Sequence, residues 1–323
     1  MFSALCQNWV LQIMDSLDRG IIIELQRNPR KSYRLLAKSL GASERTIKKR
    51  TEQLISSAEL AFTALPDLKI LGYPVNALFK FRLEKPLNSP EIAEHISQFS
   101  NFRFVSTCKG FADVYAAGNF ESDEKLANFV TNNLATISGI SRIDIVVELK
   151  EVKKRTFGRI GISKNIDSGK RRANIKIDEL DHRLILELQK NCRLPLKQLS
   201  DTLKIGESTI HRHINKLIGS RIIELTAIAN ALKIGYPNAG IIEIEAKLPK
   251  LNTIVEEISK HPQVSFSGIF SGPTQVIAGV WAHSPEDLLH LATHELVEID
   301  GISRLELLIF LKVHKANFSW LPE

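Results

Sequence analysis

The chain has 323 residues, 44% of them hydrophobic, which excludes a disordered polymer and is enough for two or more domains. Its formal net charge is +7. No apolar run is long enough to cross a bilayer. The three cysteines have no C-x-x-C spacing and cannot all pair, which favours a reducing compartment. Residues 1–15 lack the basic start of a signal peptide, so we expect a leading helix there and a cytoplasmic protein.

Three helices are predicted next, within a domain that covers residues 1–62. The first begins near residue 17 and stops at Pro29. Ser32 caps a second helix that ends at Gly41, and Ser43 caps a third. The tight turn between the second and third helices has the spacing of a helix-turn-helix.

The third helix carries the candidate DNA contacts. If Ile47 faces inward, a rotation of 100° per residue turns Arg45, Lys48 and Lys49 outward. Three cations in the N-terminal half of such a helix suit the major groove of double-stranded DNA. A solvated helix face is the alternative interpretation. The predicted DNA-binding residues of this helix and its cap are Ser43, Arg45, Thr46, Lys48 and Lys49.

A β-rich domain is predicted over residues 63–153. Its elements are a strand at 76–84, a helix at 89–99, strands at 102–109 and 112–119, a helix at 123–137 and a strand at 141–152. The order βαββαβ predicts a ferredoxin-like sandwich, with helices on one face of an antiparallel sheet. The other face and the sheet edges need a cover, which a second copy could supply.

A basic segment follows at residues 154–177. It holds eight Lys and Arg residues against one acid, Asp167, so the remainder of the chain is formally neutral. Its glycines, its serines and its weak periodicity predict a linker. The linker either lies along DNA phosphates or is a solvated tether.

The rest of the chain repeats this plan. Residues 17–60 align with 180–223 without gaps, which indicates a tandem duplication. We predict a second helix-turn-helix domain at 178–225 and a second βαββαβ domain at 226–323. The second domain has strands at 239–247, 264–271, 274–283 and 303–314 and helices at 251–260 and 285–298. The fold class is therefore α+β, with two copies of a winged helix-turn-helix domain followed by a ferredoxin-like sandwich.

The two predicted recognition helices differ in charge. The second copy presents Ser208, Thr209, His211 and Arg212 where the first presents its cations, and its cap position is Gly206. We therefore expect an asymmetric DNA site at which the first copy dominates. The alternative is a second helix-turn-helix that has lost DNA contact and serves as a scaffold.

The chain resembles the leucine-responsive regulatory protein/AsnC family of transcription regulators. The resemblance rests on residues 17–54, on the turn from Gly110 to Asp113 and on the final strand that begins at residue 139, and it recurs in both copies. It implies a DNA-binding domain and an effector domain that senses an amino acid or a related metabolite. It also implies self-association through the βαββαβ domains, within or between chains.

The resemblance places the effector against the strand-turn-strand loop of each copy. Gly110 would allow close backbone approach, and Asp113 could meet an ammonium group. The second copy has Gly272 and an uncharged Gln275 at these positions, so the two sites should not bind one molecule equally. A hairpin glycine and a turn carboxylate are the plainer interpretation.

Other function classes have weaker support. Siroheme decarboxylases share this two-domain plan, but the comparable stretches here lack the histidine that those enzymes use. His290 and His294 have i, i+4 spacing without the glutamate of H-E-x-x-H. The sequence also lacks a nucleophile–base set, a Walker loop and a G-x-G-x-x-G. We therefore expect a regulator that is not an enzyme, with no catalytic residue, no metal and no cofactor.

Overall fold

A computed structural model of the chain describes residues 14–153, 177–231 and 233–317. The chain divides into two compact units, each built from both copies. Among the described residues, the head unit contains those from 14 to 67 and from 177 to 235, and the barrel unit contains those from 68 to 153 and from 236 to 317. Most of the leading helix predicted for residues 1–15 and nearly all of the basic linker lie outside the described residues.

The helices and strands of the first copy follow the predicted order. They are α1 (Ser16–Arg27), α2 (Tyr33–Leu40), α3 (Glu44–Ser56), β1 (Leu60–Pro66), β2 (Val75–Leu83), α4 (Ser89–Ser97), β3 (Phe102–Lys109), β4 (Val114–Phe120), α5 (Asp123–Asn132) and β5 (Ile140–Lys153). The predicted helix at 123–137 therefore ends earlier, and a short 3₁₀ turn at Leu134–Thr136 follows it.

The second copy repeats this series. Its elements are α6 (Glu179–Lys190), α7 (Leu196–Leu203), α8 (Glu207–Gly219), β6 (Ile223–Ala229), β7 (Asn238–Ala246), α9 (Leu251–Lys260), β8 (Val264–Phe270), β9 (Val276–Ala282), α10 (Pro285–His290) and β10 (Ile302–Ala316). The helix predicted at 285–298 changes into a π-helical segment at Leu291–Leu296. No helix in the described ranges combines the length and hydropathy of a membrane span.

Local sequence accounts for the helix ends in the head unit. The hydroxyl oxygens of Ser32 and Ser43 accept backbone N–H groups at the starts of α2 and α3, as predicted. Gly41 ends α2 in the left-handed region, with φ of 66°. In the second copy Lys204 takes that conformation with φ of 57°, although it carries a Cβ.

Two strands that sequence analysis did not assign connect the two heads. β1 pairs antiparallel with β6, from Leu60 opposite Ala229 to Pro66 opposite Ile223. β1 thus extends beyond residue 62, the predicted end of the first domain. The strand after each third helix pairs with the other copy, because a lone strand must satisfy its backbone groups elsewhere.

The barrel unit confirms the ferredoxin-like prediction and shows how the two βαββαβ modules combine. The first module has the strand order β3-β4-β2-β5, and the second has the order β10-β7-β9-β8. β5 pairs with β8, and β10 pairs with β3, which closes the eight strands into a barrel. Closure removes the free sheet edges, and the modules of one chain supply both halves.

Each module has its own apolar core between its sheet and its helices. In the first module Phe79, Phe81 and Phe102 are fully buried in this layer. In the second module Ile242, Ile244 and Val264 have the corresponding positions. Alternate residues of the same strands face the barrel interior. The buried polar residues of β2 and β7, which are Asn76, Lys80 and Glu243, therefore lie in that interior.

Candidate DNA-binding surface and effector turns

The first recognition helix, α3, has the predicted orientation. Ile47 is fully buried, whereas Arg45, Lys48 and Lys49 are exposed. Thr46 is also exposed, so this side of α3 is accessible within the head unit. The outward face therefore carries three cations next to a helix N-terminus, which is an arrangement suited to an anionic duplex.

The cap of α3 couples two further predicted contacts. The Ser43 hydroxyl accepts the Thr46 N–H at 3.0 Å, and the two side-chain oxygens lie 2.8 Å apart. The local fold thus fixes the Ser43 side chain without DNA. Exposed Lys48 also lies 3.9 Å from Glu52, an i, i+4 ion pair that a phosphate would have to replace.

An ion-pair network that sequence analysis did not find fixes α3 against α1. Arg50 donates to Asp18 at 3.0 Å and to Asp15 at 2.8 Å. Burial raises the pKa of Asp18, and this outweighs the opposing effect of Arg50. The contact between Arg50 and Asp18 was not predicted, because the two residues are 32 positions apart and nothing near either one in sequence indicates its partner.

The second recognition helix, α8, exposes fewer cations. Ser208, His211 and Arg212 are exposed, and Thr209 is half-buried. Of these four side chains Arg212 is the one lysine or arginine. The charge difference between the heads that the sequence predicts is therefore present at exposed positions.

Asp181 ties α8 to α6, as Asp18 ties α3 to α1. His213 Nδ1 lies 2.8 Å from Asp181, which also accepts a hydrogen bond from Lys216. Burial tends to raise the pKa of Asp181, but the hydrogen bonds from Lys216 and His213 outweigh this and lower it. Asp178, Asp181 and His213 have the spacing of a metal site, yet the Lys216 ammonium already neutralises the central carboxylate.

The α2 helix adds exposed cations that were not among the predicted contacts. Arg34 and Lys38 are exposed on α2, the helix that precedes the turn. Their counterparts in α7 are Lys197 and Asp201, also exposed. In helix-turn-helix proteins this helix crosses the DNA backbone, and the first head has the more positive charge at these two positions.

Side chains from both copies hold the two heads together. Arg30 donates to the carbonyl of Cys192 at 2.8 Å, and the Arg193 guanidinium stacks on the rings of Tyr33 and Phe62, 4.9 Å from each centroid. Arg30 and Arg193 are equivalent residues of the two copies. The heads therefore form one assembly within the chain.

The glycines of the two strand-turn-strand loops have positive φ and close neighbours from the other module. Gly110 has φ of 138°, and a Cβ there would lie 2.7 Å from the Leu307 carbonyl oxygen. Gly272 has φ of 102°, and its Cβ would lie 3.3 Å from the Val146 side chain. Each turn thus packs against the last strand of the other module, at a junction between modules.

Asp113 and Gln275 share a structural role. Asp113 Oδ2 accepts the Leu83 N–H at 3.0 Å, and Gln275 Oε1 accepts the equivalent Ala246 N–H at 3.0 Å. Asp113 also lies 3.5 Å from the Arg82 guanidinium. An oxygen acceptor is all that the shared contact needs, which explains why an amide replaces a carboxylate in the second copy.

Three family models match the chain. They are an AsnC-type helix-turn-helix domain at residues 14–55, a winged helix-turn-helix DNA-binding domain at 177–224 and an Lrp/AsnC ligand binding domain at 239–320. The matched ranges fall in both predicted head domains and in the second module. Along the chain the matches come in the order helix-turn-helix, helix-turn-helix, ligand-binding domain.

Curated relatives align with less than half of the chain. The HTH-type transcriptional regulator FL11 of Pyrococcus abyssi is 30% identical over 142 residues, which are 44% of this chain and 93% of that protein. An uncharacterized HTH-type transcriptional regulator of Pyrococcus horikoshii is 27% identical over 146 residues, which are 45% of this chain and 92% of that protein. Each relative therefore has about the length of one copy of the duplication.

A solved structure matches the chain over both copies. The crystal structure of the siroheme decarboxylase NirDL has a TM-score of 0.65 and covers 93% of this chain and 93% of its own, at 14% identity. At that identity the likeness shows a shared fold. A single chain with two head domains and two modules is therefore an architecture that occurs in another protein.

Proposed function

The chain belongs to the Lrp/AsnC family of transcription regulators, and we propose that its two unlike heads bind an asymmetric site on double-stranded DNA, with the first head dominant. The observation that carries this proposal is the exposed charge on the recognition helices. Arg45, Lys48 and Lys49 of α3 are exposed, whereas α8 offers Arg212 as its one permanent cation at the matched positions. Unequal cation number implies unequal phosphate neutralisation and unequal release of counterions.

Footprinting on a DNA site recovered by genomic binding-site mapping tests the proposal. We expect one half-site to be protected over a longer stretch or more strongly than the other. The double variant Arg45→Ala, Lys48→Ala should lose protection of that stronger half-site. Equal protection of two halves of a perfect palindrome would contradict an asymmetric site. Protection that is unchanged by His211→Ala with Arg212→Ala would favour a second head that serves as a scaffold.

We also propose that the barrel unit binds a small metabolite at the junctions between modules, near the turns that contain Gly110 and Gly272. The support is the packing of each turn against the last strand of the other module, because a ligand there would contact both modules. The two junctions differ chemically, since Asp113 in the first copy corresponds to Gln275 in the second. An amino acid-like effector would accordingly favour one junction.

The role of Asp113 can be separated from its structural contact. Asp113→Asn keeps an oxygen acceptor for the Leu83 N–H but removes the charge. If the charge recognises an ammonium group, this variant keeps its thermal stability and loses the effector response in DNA binding. If Asp113 acts only as an anchor, Asp113→Asn responds like the parent chain and Asp113→Ala is destabilised. Ligands that co-purify with the chain, identified by mass spectrometry, supply the effector for this test.

A second candidate function is siroheme decarboxylation, which the whole-chain likeness to NirDL brings into consideration. The interior-facing parts of β3 and β4 and of β8 and β9 contain no histidine. They do contain Arg103, which is half-buried, and Tyr115, which is buried in the barrel unit. Addition of siroheme to the purified chain decides between the functions, because a shifted Soret band with product formation would support the enzyme and an unshifted spectrum would support the regulator.

A further inference from the structure

Two equivalent residues of the duplication meet inside the barrel. Lys80 is the sixth residue of β2, and Glu243 is the sixth residue of β7. The Lys80 Nζ donates to Glu243 Oε2 at 3.0 Å. Two residues related by an approximate twofold axis can touch each other only close to that axis. Lys80 and Glu243 therefore mark the axis that relates the two modules.

The pair is buried and has few other partners. Lys80 is 8% exposed and Glu243 is 2% exposed. Thr274 also donates its hydroxyl to Glu243 Oε2 at 2.9 Å, and the Lys80 ammonium lies 5.6 Å from the Phe111 ring centroid. Glu243 Oε1 has no hydrogen-bond partner among the described residues. Each charge therefore depends on the other, because a buried charge without its partner is strongly unfavourable.

We infer that Lys80 and Glu243 make the two modules pair only with each other. Self-pairing of the first module would place two lysines at the axis, and self-pairing of the second would place two glutamates there. Either arrangement buries two like charges at contact distance with no counter-charge. A barrel therefore takes one first module and one second module, either from the same chain or exchanged between two copies of it.

A second pair of equivalent positions, at the strand junctions, acts in the same direction. Phe310 on β10 lies opposite Cys108 of β3 and packs on the rings of Phe104 and Tyr115, at 4.9 and 5.8 Å. Its equivalent in the first copy is Glu148. A first module paired with itself would place that carboxylate against these apolar and aromatic side chains. Glu148 is also buried at its own junction, but there the Asn76 amide donates to its carboxylate at 2.7 Å, whereas Phe310 packs among aromatic rings.

The single charge reversals reproduce the two excluded contacts within one chain. Lys80→Glu creates the glutamate pair of a self-paired second module, and Glu243→Lys creates the lysine pair of a self-paired first module. We expect each variant to lower the thermal midpoint by about 10 °C or to fail to fold. The double reversal restores opposite charges and should recover at least half of the loss. A double reversal no more stable than the single variants, or single variants with an unchanged midpoint, would overturn the inference.

An exposed ion pair supplies the matched control. Arg142 donates to Asp144 at 2.8 Å on β5, and its side chain is 71% exposed. Arg142→Asp creates a like-charge pair in solvent, so its thermal midpoint should change by no more than about 2 °C. A drop as large as that of Lys80→Glu would mean that charge reversal destabilises the barrel unit regardless of position.

Co-refolding tests the choice of partner directly. In a mixture of the full-length Lys80→Glu and Glu243→Lys chains, opposite charges occur only between modules of different chains. We expect a tagged Lys80→Glu chain to capture several-fold more untagged Glu243→Lys chain than tagged parent captures untagged parent. Capture at the level of the parent pair would contradict the proposed selection.

Discussion

Removal of the three cations of the first recognition helix should change the salt dependence of DNA binding by a predictable amount. The perturbation is the triple substitution of Arg45, Lys48 and Lys49 by alanine. All three side chains are exposed, and α3 keeps its buried contacts, so the head unit should remain folded. Each phosphate contact contributes about 0.9 to the slope of log affinity against log salt. Three lost contacts therefore reduce the slope by about 2.7.

This slope difference corresponds to a large effect over an ordinary salt range. Between about 50 and about 200 mM salt, the parent chain should lose roughly 40-fold more affinity than the triple variant. The matched change in the second head is Arg212→Ala, for which the slope should fall by about 0.9. The assay is fluorescence anisotropy with a labelled duplex that carries the mapped site, at a series of salt concentrations.

Two exposed arginines of the barrel unit are the controls. Arg142 and Arg304 are equivalent residues with side chains 71% and 65% exposed, and their substitution by alanine should leave the slope unchanged. Equal slope changes for the two heads would refute the reasoning that the first head dominates. An unchanged slope in the triple variant would refute DNA contact by this face of α3.

Three further predictions concern the fold around the sites. Lys204→Gly should stabilise the head unit by about 1 kcal/mol, because lysine is strained at φ of 57°. At the equivalent turn of the first copy, Gly41→Ala should destabilise the head unit by a similar amount. Urea unfolding measures both changes, and a Lys204→Gly chain less stable than the parent would contradict the strain. Asp181→Asn should lower the free energy of unfolding by about 2 kcal/mol at neutral pH. Because folding lowers the pKa of Asp181, the stability that its carboxylate contributes is present above about pH 4 and is lost as the pH falls through the folded-state pKa. A stability difference between variant and parent that stays constant below about pH 4 would contradict this role of the carboxylate. Burial raises the pKa of the Cys192 thiol to about 11 and raises the pKa of the Cys108 thiol further. In a Cys6→Ser chain at pH 8, both thiols should therefore react slowly with a disulfide reagent until denaturant is added. A rapid reaction of the native chain would contradict this prediction, because it would require an accessible thiol.

The sequence by itself determined the local structure of this protein. Serine caps at positions 32 and 43 and the apolar spacing around Ile47 are enough to place α3 and to turn its cations outward, since both effects act within a few residues. The alignment of the two copies likewise identifies equivalent positions without coordinates. Element type and order follow from this local information, and the boundaries shift by a few residues because helix ends fray.

Only the tertiary structure decided which copies of which elements meet. β1 pairs with β6 across 163 residues, and Lys80 meets Glu243, yet nothing near either residue in sequence specifies its partner. The role of Asp113 also depends on tertiary structure. From the sequence its carboxylate was interpreted as a ligand for an ammonium group, and in the barrel unit it accepts the Leu83 N–H. Contacts between distant residues depend on the closure of the whole sheet, and a periodic pattern within one strand contains no information about that closure.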